Sequence, residues 1–437
     1  MTNHGMSRRH FMTHMAQTAA VSAPAAHLLA NGLRAGAAEL KKGNKACILL
    51  YMGAGPATID IWDLKPGQPT GGEFKPIATS GNEQISEHMP LMAKQMHHAA
   101  IIRSMSTSEA DHARGRSYMH TGFKPDPNIE YPGYGAVMAH EKSEQTKSRG
   151  LEIPPVVSIG GASAGPGFLS MAYSPFVVDF QGNVRNLQMN LTNERLAQRM
   201  QMLGKLEDNF AKQERGAMAK DHFDILKSTA NLMTSKQMDA FTKVNDEPDS
   251  IKDLYGMNAP AGQQMGMGMR NASGFGRACL MARRLVETGV PFVEIELGGW
   301  DDHQNVFTAL KNRLPVLDRG FSALIQDLDQ RGMLDDTAIV WMGDFGRTPR
   351  INARTGRDHW ARCWSTVVAG GGMNGGIAVG KTNVDGTGVD STPYSSEHLM
   401  ASVLKSLGVS LNTTYTTKNN RPKKIANGAA PIPELFA

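Results

Sequence analysis

The chain has 437 residues, enough for one large domain or two of ordinary size. Its 41% of hydrophobic and 20% of charged residues are those of a globular protein, and no run of about 18 apolar residues predicts a membrane-spanning helix. Three of its five net positive charges come from arginines in an N-terminal segment that has no acidic residue. The rest of the chain is nearly neutral, so its charge does not indicate binding to nucleic acid or to a membrane surface.

The N-terminal segment predicts export. Residues 7–12, SRRHFM, match the S/T-R-R-x-F-L pattern of twin-arginine signals, and a weakly apolar stretch at 16–33 leads to an A-x-A cleavage site at 35–37. We therefore expect a signal peptide over residues 1–37, recognised by the twin-arginine translocation machinery, and a periplasmic or extracellular mature protein. Because this pathway carries folded proteins, often with a cofactor already inserted, the signal also favours a metalloprotein.

Short apolar runs rich in β-branched residues predict the strands of a sheet. They lie at residues 46–51, 99–103, 156–159, 293–297, 337–342 and 367–369. Amphipathic patterns predict helices at residues 90–97, 277–288, a stretch ending at Gly332, 396–407 and most of about 190–275. The alternation describes parallel βαβ units. We expect one α/β domain over residues 38–437, with a central, mostly parallel sheet flanked by helices on both faces.

The cysteines and methionines carry little predicted chemistry. Cys47 lies in an apolar strand and Cys279 on a helix, so buried thiols are expected rather than a disulfide framework. Residues 257–269 are rich in Gly and Met. Because no Cys or His accompanies these methionines, the segment predicts a loop that covers the site rather than a Cu(I) site.

Polar residues gather at the ends of the strands between Pro291 and Gly372. The motif GGWDDH follows the first of these strands, GDFGRTP follows the second, and GRDHW precedes the third. They supply Asp301, Asp302 and His303, then Asp344 and Arg347, then Arg357, Asp358 and His359. In open α/β sheets, ligands bind beyond the carboxyl ends of the strands. Carboxylates and imidazoles delivered to one such edge indicate a site for a divalent metal such as Zn²⁺, Mn²⁺ or Ca²⁺.

Two earlier loops add candidates. The glycine-rich turn after the first strand either lets backbone approach a ligand or is a bare turn, and Asp60 behind it is either a metal ligand or a turn cap. The segment from Ser104 to Arg116 leads into a helix, where Ser, Asp and His are ordinary capping residues. Because Arg114 and Arg116 stand beside His112, we favour a functional site there.

This residue set suits hydrolysis of a phosphate or sulfate ester. Carboxylate and imidazole clusters bind divalent cations, which clamp an anionic oxygen. Arg347 and Arg116 would face the tetrahedral anion, since guanidinium groups bind such anions bidentately. Structural networks of Asp, His and Arg use the same residue types, so composition alone leaves both interpretations open. The expected metal ligands are Asp301, His303, Asp344 and His359.

The motifs resemble those of a known family. GGWDDH, GDFGRTP and GRDHW, with HTG at residues 120–122 and GPATIDIWDLKP at 55–66, are similar to DUF1501, a bacterial family of exported proteins grouped with the alkaline phosphatase and sulfatase superfamily. The resemblance extends over essentially the whole mature chain. It implies a central, mostly parallel sheet with a metal site at the strand ends.

The metal site of that superfamily carries over only in part. Asp344 stands where its Asp-His or Asp-Asn metal pair begins, but Phe345 replaces the second ligand. Asp301 and His303 resemble its Asp and His ligand pair, at a spacing shorter than D-x-x-x-H. His359 is similar in chain order to its last histidine.

The nucleophile region resembles that of sulfatases in spacing but not in residue type. Placing the sulfatase T-G on Thr121-Gly122 puts Arg116 on the sulfatase arginine and His112 on the modified cysteine. Since the Cys, Pro and Ser of that motif are missing, a formylglycine sulfatase is not expected. His112 is then a metal ligand, a general base or a nucleophile, and we favour ligand or base. Thr58 and the serines from Ser104 to Ser108 are the remaining nucleophile candidates.

Two classes of function follow from these patterns. The leading hypothesis is an exported metal-dependent hydrolase that acts on a small anionic ester or on a sulfated or phosphorylated saccharide, with Asp302, Asp358 and Arg357 in supporting positions. Another metal-assisted reaction, of the lyase or transferase type, is a variant of it. The alternative is a catalytically degenerate binding or assembly protein of the same fold, with a structural metal or none. Convergence of the Asp and His side chains on a solvent-connected pocket would favour the hydrolase.

Overall fold

The computed structural model describes residues 45–161, 163–183, 192–211, 232, 235–258 and 274–437. The predicted signal peptide and nearly all of the Gly- and Met-rich loop lie outside these residues. Within them, eight strands form one sheet. In chain order, they are β1 Ala46–Met52, β2 Ala99–Met105, β3 Val156–Ile159, β4 Phe176–Val178, β5 Phe292–Leu297, β6 Thr337–Gly343, β7 Trp364–Gly370 and β8 Ile377–Val379.

The helices of the described residues lie mostly between these strands. The α-helices are α1 Pro90–Ala93, α2 His112–Thr121, α3 Tyr134–Glu141, α4 Ser143–Ser148, α5 Asn193–Ala211, α6 Asp239–Thr242, α7 Asp249–Leu254, α8 Phe275–Thr288, α9 Val306–Gln330 and α10 Ser396–Ser406. Turns of 3₁₀-helix lie at Thr58–Asp60, Met96–His98, Met171–Tyr173, Lys236–Met238, Val244–Asp246, Leu334–Asp336, Ile425–Gly428 and Pro433–Leu435. No helix in this part of the chain is long and apolar enough to cross a membrane.

Three two-stranded ribbons lie outside the main sheet. They pair Pro76–Ile77 with Ile85–Ser86, Gly346–Arg347 with His359–Trp360, and Thr414–Thr416 with Pro422–Lys424. All of the predicted strands are present in the sheet, and α8 and α10 begin and end within two residues of their predicted bounds. The predicted helix at 90–97 is divided into α1 and the 3₁₀ turn that follows it.

The strands follow the order β8-β2-β7-β6-β1-β5-β3-β4 across the sheet. β1 is parallel to both of its neighbours, β5 and β6, and β3 is parallel to β4 and β5. β7 runs antiparallel to β2 and β6. This arrangement confirms the α/β class with a mostly parallel central sheet.

The expectation that the run at 367–369 belongs to a parallel βαβ unit is wrong. β6 and β7 pair antiparallel, with Trp341 opposite Val367. A parallel pair needs a crossover connection, usually a helix, but the chain between β6 and β7 forms a loop with the ribbon Gly346–Arg347 and His359–Trp360. The start of β7 therefore lies at the edge where β6 ends.

Helices cover both faces of the sheet, as the packing of β1 illustrates. All seven of its residues are buried. Ala46, Ile48 and Leu50 pack into the core formed with α8 and α9, whereas Cys47 and Leu49 pack into the core formed with α2, α3 and α10. A strand buried on both sides has no polar face, which explains its uninterrupted apolar sequence.

The three thiols of the chain are buried and free. Burial raises the pKa of Cys47 and Cys279, and it raises the pKa of Cys363 to about 11. These thiols therefore stay protonated at neutral pH and act as small apolar groups.

A buried arginine joins α8 to α9. The Arg283 side chain is 1% exposed, and its Nε lies 2.9 Å from Asp327 Oδ2. Glu247 and Glu287 contact the same guanidinium at 2.9 and 2.7 Å. Tyr255 donates a hydrogen bond to Asp327. One cation thus holds three carboxylates together beside the core.

We expect Asp327→Leu to lower the free energy of unfolding by about 1–3 kcal/mol, because the buried Arg283 Nε and the Tyr255 hydroxyl both lose their acceptor while Glu247 and Glu287 still neutralise the guanidinium. Urea denaturation followed by circular dichroism measures the change. Asp327→Asn, which keeps the size and an acceptor oxygen at this position, should lose less stability than Asp327→Leu. An Asp327→Leu protein as stable as the wild type would show that this ion pair does not stabilise the helix layer.

Candidate metal centre

Three segments bring histidines and an aspartate to the edge where β1, β5 and β6 end. α2 begins with His112, the loop after β5 carries Asp301 and His303, and the ribbon before β7 carries His359. The Asp111 carboxylate caps α2 by accepting a hydrogen bond from a backbone N–H of its first turn. The antiparallel direction of β7 places His359 at this edge rather than at the opposite one.

The side chains of these segments converge on one carboxylate oxygen, Asp301 Oδ1. His303 Nε2 lies 3.0 Å, His112 Nε2 3.2 Å and His359 Nε2 3.4 Å from it. The Nε2 atoms of His303 and His359 are 3.2 Å apart. Ligands around a tetrahedral zinc ion, with bonds of about 2.0–2.1 Å, lie about 3.3 Å from one another. The spacing of the cluster is therefore that of ligands that share a cation.

Each of the three histidines has an acceptor at its other ring nitrogen. Nδ1 lies 2.8 Å from Asp344 Oδ2 in His112, 2.7 Å from Asp358 Oδ1 in His303, and 2.8 Å from the Ala110 carbonyl oxygen in His359. These acceptors assign the proton to Nδ1 and leave the Nε2 lone pairs facing the cluster, as in metal-binding histidines. His112 Nε2 is buried and has no hydrogen-bond partner. The residues present therefore fit a divalent cation.

The protonation states of the cluster also fit ligation. Burial acts to raise the pKa of Asp301, but the hydrogen bond and charge of Arg347, with His112 and His303, lower that pKa to about 2. Burial lowers the pKa of His359 and the charge of Arg347 adds to this effect, although the hydrogen bond to the Ala110 carbonyl opposes it. Asp301 is thus ionised and His359 neutral at pH 7, the forms that bind metals.

Asp344 lies behind the cluster rather than in it. Its Oδ2 accepts from His112, and its Oδ1 accepts a hydrogen bond from the Tyr51 hydroxyl. Both Asp344 and Tyr51 are buried. Phe345 stacks on the His112 ring at 5.1 Å. Asp344 was expected as a ligand, but this geometry makes it the residue that orients His112. Sequence reasoning did not identify Tyr51, which donates a hydrogen bond to Asp344.

Arg347 is the guanidinium nearest to the cluster. Its Nη2 donates to Asp301 Oδ1 at 2.6 Å, and its Nε donates to the Gly55 carbonyl at 2.7 Å. Nη1 makes longer contacts, 3.3 Å to the Arg357 carbonyl and 3.4 Å to His303 Nε2. Backbone carbonyls therefore fix the guanidinium beside Asp301, and Nη1 is its less tightly bonded nitrogen.

Arg116 belongs to a buried network behind the cluster that sequence reasoning missed. It forms a bidentate ion pair with Glu296, at 2.6 and 2.9 Å. The fully buried Glu294 contacts His120 Nε2 at 2.9 Å. Both acids stand in the otherwise apolar strand β5, FVEIEL, and a carboxylate in a buried strand needs a partner. The two acidic residues in an otherwise apolar strand were the sequence signal that could have indicated this network.

Two predicted residues hold loops in place instead of joining the cluster. Both oxygens of Asp60 accept hydrogen bonds of 2.7 Å from Arg357, and both side chains are buried. Burial raises the pKa of Asp60, although Arg357 opposes this effect. Asp302 forms an ion pair with Arg313. These pairs anchor the loops that carry the cluster histidines.

Two of the predicted nucleophiles are poorly placed for a reaction. Thr58 and Ser104 are buried, and Thr58 Oγ1 accepts a hydrogen bond from Ser365 N. His112, a further candidate, directs Nε2 toward Asp301 and has Nδ1 bonded to Asp344. This orientation is that of a ligand.

The model of the family described as "Protein of unknown function (DUF1501)" matches residues 44–436. The chain belongs to this family. The match spans the sheet, the cluster and all three motifs of the Asp301–His359 region. Among curated proteins, no sequence matches the chain.

The fold of this family member is similar to several solved structures. A sulfatase from Pseudoalteromonas sp. is 13% identical, over 86% of this chain and 72% of its own, with a TM-score of 0.40. A phosphonate monoester hydrolase of Agrobacterium radiobacter is 11% identical, over 90% of this chain and 77% of its own, with a TM-score of 0.40. The TAB5 alkaline phosphatase is 13% identical, over 84% of this chain and 99% of its own, with a TM-score of 0.35. The activities named here are those of the similar proteins.

Gly356 allows two of the cluster loops to pack together. A Cβ at Gly356 would lie 2.1 Å from the backbone carbonyl carbon of His303, whereas a Cβ at Gly298 would contact nothing within 4 Å. We expect Gly356→Ala to push apart the two loops, which carry Asp301 and His359, and so to weaken Zn²⁺ binding about ten-fold or more. Isothermal titration of chelator-treated protein measures this affinity.

Gly298→Ala is the matched control, because it adds the same methyl group in a neighbouring loop without a clash. Its zinc affinity should equal that of the wild type. Equal affinities for the two alanine variants, at unchanged circular dichroism, would contradict a cation site shared by these loops.

Proposed function

We propose that this protein is an exported, metal-dependent hydrolase of phosphate or sulfate esters. The observation that supports this most directly is the convergence of the His112 and His359 Nε2 atoms with the Asp301 carboxylate, one ligand atom from each lying within 4.8 Å of the others. Three protein ligands with a further position open to water or substrate are typical of catalytic metal sites. Small anionic esters and sulfated or phosphorylated saccharides are the proposed substrates.

The donor set favours some cations over others. His112, Asp301 and His359 would hold the ion, and two imidazoles with one carboxylate suit Zn²⁺ or Mn²⁺ better than Ca²⁺, which prefers oxygen ligands only. A divalent cation at this position supplies Lewis acidity, which stabilises negative charge on an ester oxygen. Asp344 supports the site by fixing the His112 ring.

His303 is suited to move the proton. Its Nδ1 is bonded to Asp358 at 2.7 Å, and its side chain is 34% exposed, so water and substrate can reach the ring. In hydrolysis, His303 Nε2 would take the proton from the attacking water and return it to the oxygen of the leaving alcohol. Asp358 then stabilises the transient imidazolium. The Arg347 side chain is fully buried, so it would stabilise the ester anion by its charge beside Asp301 rather than through an exposed N–H.

One observation favours the alternative, a binding or assembly protein without catalysis. The Arg347 guanidinium already places a positive charge 2.6 Å from Asp301 Oδ1. A fixed cationic side chain can neutralise the carboxylate without a metal. Chelator-sensitive turnover by the folded protein distinguishes the two functions, since the alternative has a structural ion that no substrate reaches, or none.

We expect the mature protein to bind Zn²⁺ or Mn²⁺ and to hydrolyse an aryl phosphate, phosphodiester or sulfate in a chelator-sensitive way. His112→Ala should weaken metal binding about 100-fold or more, and Asp344→Asn about 10–100-fold, because one removes a ligand and the other its orienting acceptor. His303→Ala should instead lower kcat about 10²–10⁴-fold while metal binding changes little. Metal analysis and steady-state kinetics on the same preparations measure both effects.

Lys147→Ala, at an exposed position of α4, is the control for nonspecific loss. Full activity of both His112→Ala and Asp344→Asn would exclude the proposed roles. A folded, correctly exported protein that contains no metal and takes up none would exclude the hydrolase.

We also propose that the twin-arginine machinery delivers this protein to the periplasm or the cell exterior. Arg8→Lys/Arg9→Lys keeps the charge but removes the arginine pair that the machinery recognises, so the precursor should accumulate in the cytoplasm. Cell fractionation and immunoblotting measure its distribution. Arg34→Lys, in the same predicted leader, should leave export unchanged; export of the double variant at the wild-type level would overturn this assignment.

A further inference from the structure

A cavity of about 430 Å³ opens along α2, where Ala113, Arg116 and Ser117 line it. One wall is α2, and the others are the segments 125–131 and 163–165. Its size is within the range of small-molecule sites, about 300–1,000 Å³. Polar side chains are frequent in its lining and include Arg116, Ser117, His120, Asp126, Glu130 and Ser163.

The cavity and the cluster share one helix and one buried network. His112 begins α2, and Arg116, one helical turn later, lines the cavity. The Arg116 guanidinium lies over the Tyr51 ring, 4.8 Å from its centre. Tyr51 in turn donates to Asp344, which holds His112. About one turn of α2 thus separates the cavity wall at Arg116 from His112 of the cluster.

The floor of the cavity consists of charges that are already paired. Arg116 is bidentate to Glu296. His120 contacts the Arg116 carbonyl at 2.8 Å and Glu294 at 2.9 Å through its two ring nitrogens. Ser163 also donates to Glu294. The ionic groups of the floor thus already have partners within the protein, and an anionic group gains no new ion pair there.

The rim of the cavity adds acceptors and an aromatic ring. Asp126 and Glu130 line it with carboxylates, which repel anions and accept hydrogen bonds from hydroxyl groups. Ser117 adds a hydroxyl, and Tyr131, stacked on Phe123 at 4.3 Å, adds a polarisable surface. A purely apolar ligand would leave these polar groups without partners, which is unfavourable. An uncharged ligand with many hydroxyl groups satisfies both the floor and the rim.

We propose that this cavity binds the uncharged sugar ring of a saccharide whose ester group lies at the cluster. This assignment rests on the proposed function for the placement of the ester, but the affinity of the cavity for a neutral sugar is independent of any metal. In this binding mode the cluster binds the anionic part of the substrate, and α2 and the two loops bind its neutral, hydroxylated part. A second sulfate or phosphate on the same ring would meet the carboxylates of the rim.

The test uses the mature protein, metal-free and loaded with Zn²⁺. The probes are methyl galactoside, methyl glucoside and methyl mannoside, together with their 6-sulfates, and saturation-transfer NMR and calorimetry measure binding. At least one neutral glycoside should bind both protein forms with the same Kd. Zinc should tighten only its 6-sulfate, by ten-fold or more, because the sulfate alone reaches the cluster.

Two variants locate the sugar. Ser117→Trp fills the cavity from α2 and should weaken the neutral glycoside ten-fold or more, with zinc affinity unchanged. Asp126→Asn removes a rim charge with little change in shape and should weaken it two- to five-fold. Lys147→Trp, exposed and outside the cavity lining, is the control for adding an indole and should bind as the wild type does.

The outcomes separate this inference from the proposed function. If zinc binds but none of the neutral glycosides does, or if Ser117→Trp and Asp126→Asn leave their binding unchanged, the sugar site is overturned and the hydrolase stands. If a neutral glycoside binds and both variants weaken it while the protein takes up no metal, the sugar site is supported and the hydrolase fails.

Discussion

The carboxylate of Asp301 is the group on which the rest of the site depends. Its Oδ1 lies within 3.4 Å of three imidazole nitrogens and 2.6 Å from the Arg347 guanidinium. Because each Nδ1 donates its proton to another acceptor, the Nε2 lone pairs point toward the Asp301 carboxylate. The lone pairs and the carboxylate repel one another. A cation among them turns this repulsion into ligation. This requirement is the physical basis for the proposed metal.

Buried ion pairs, rather than apolar contacts, hold the loops of the site. The pair of Asp60 and Arg357 anchors the loop before β7, and the pair of Asp302 and Arg313 anchors the loop after β5. Such buried ion pairs add little net stability, but separating the two partners strongly destabilises the protein. Their effect here is to fix positions. The loops of the cluster are therefore held in fixed positions, as the proposed binding of an anionic ester requires.

Local patterns predicted much of this site. Residues such as His112, Asp301 and His359 follow or precede apolar strands in short motifs, and the strand ends of an α/β sheet meet at one edge. The same reasoning did not distinguish a metal ligand from a supporting residue at Asp60 and Asp344. A carboxylate close to a strand end has the same local sequence whether it turns toward a metal, toward Arg357, or toward Tyr51 and His112. Partners that lie far away in the chain decide among these directions.

The sequence alone determined where six of the eight sheet strands and several of the helices lie, that helices cover both faces of the sheet, and which motifs occupy its ends. These features depend on hydrophobic periodicity and on turn residues, which act within a few positions of the chain. Only the tertiary structure decided that β7 runs antiparallel, that the histidines share one oxygen, and that Glu294 and Glu296 pair with α2. Those outcomes depend on which distant segments become neighbours, because strand pairing and the pairing of buried charges join residues that are remote in the sequence.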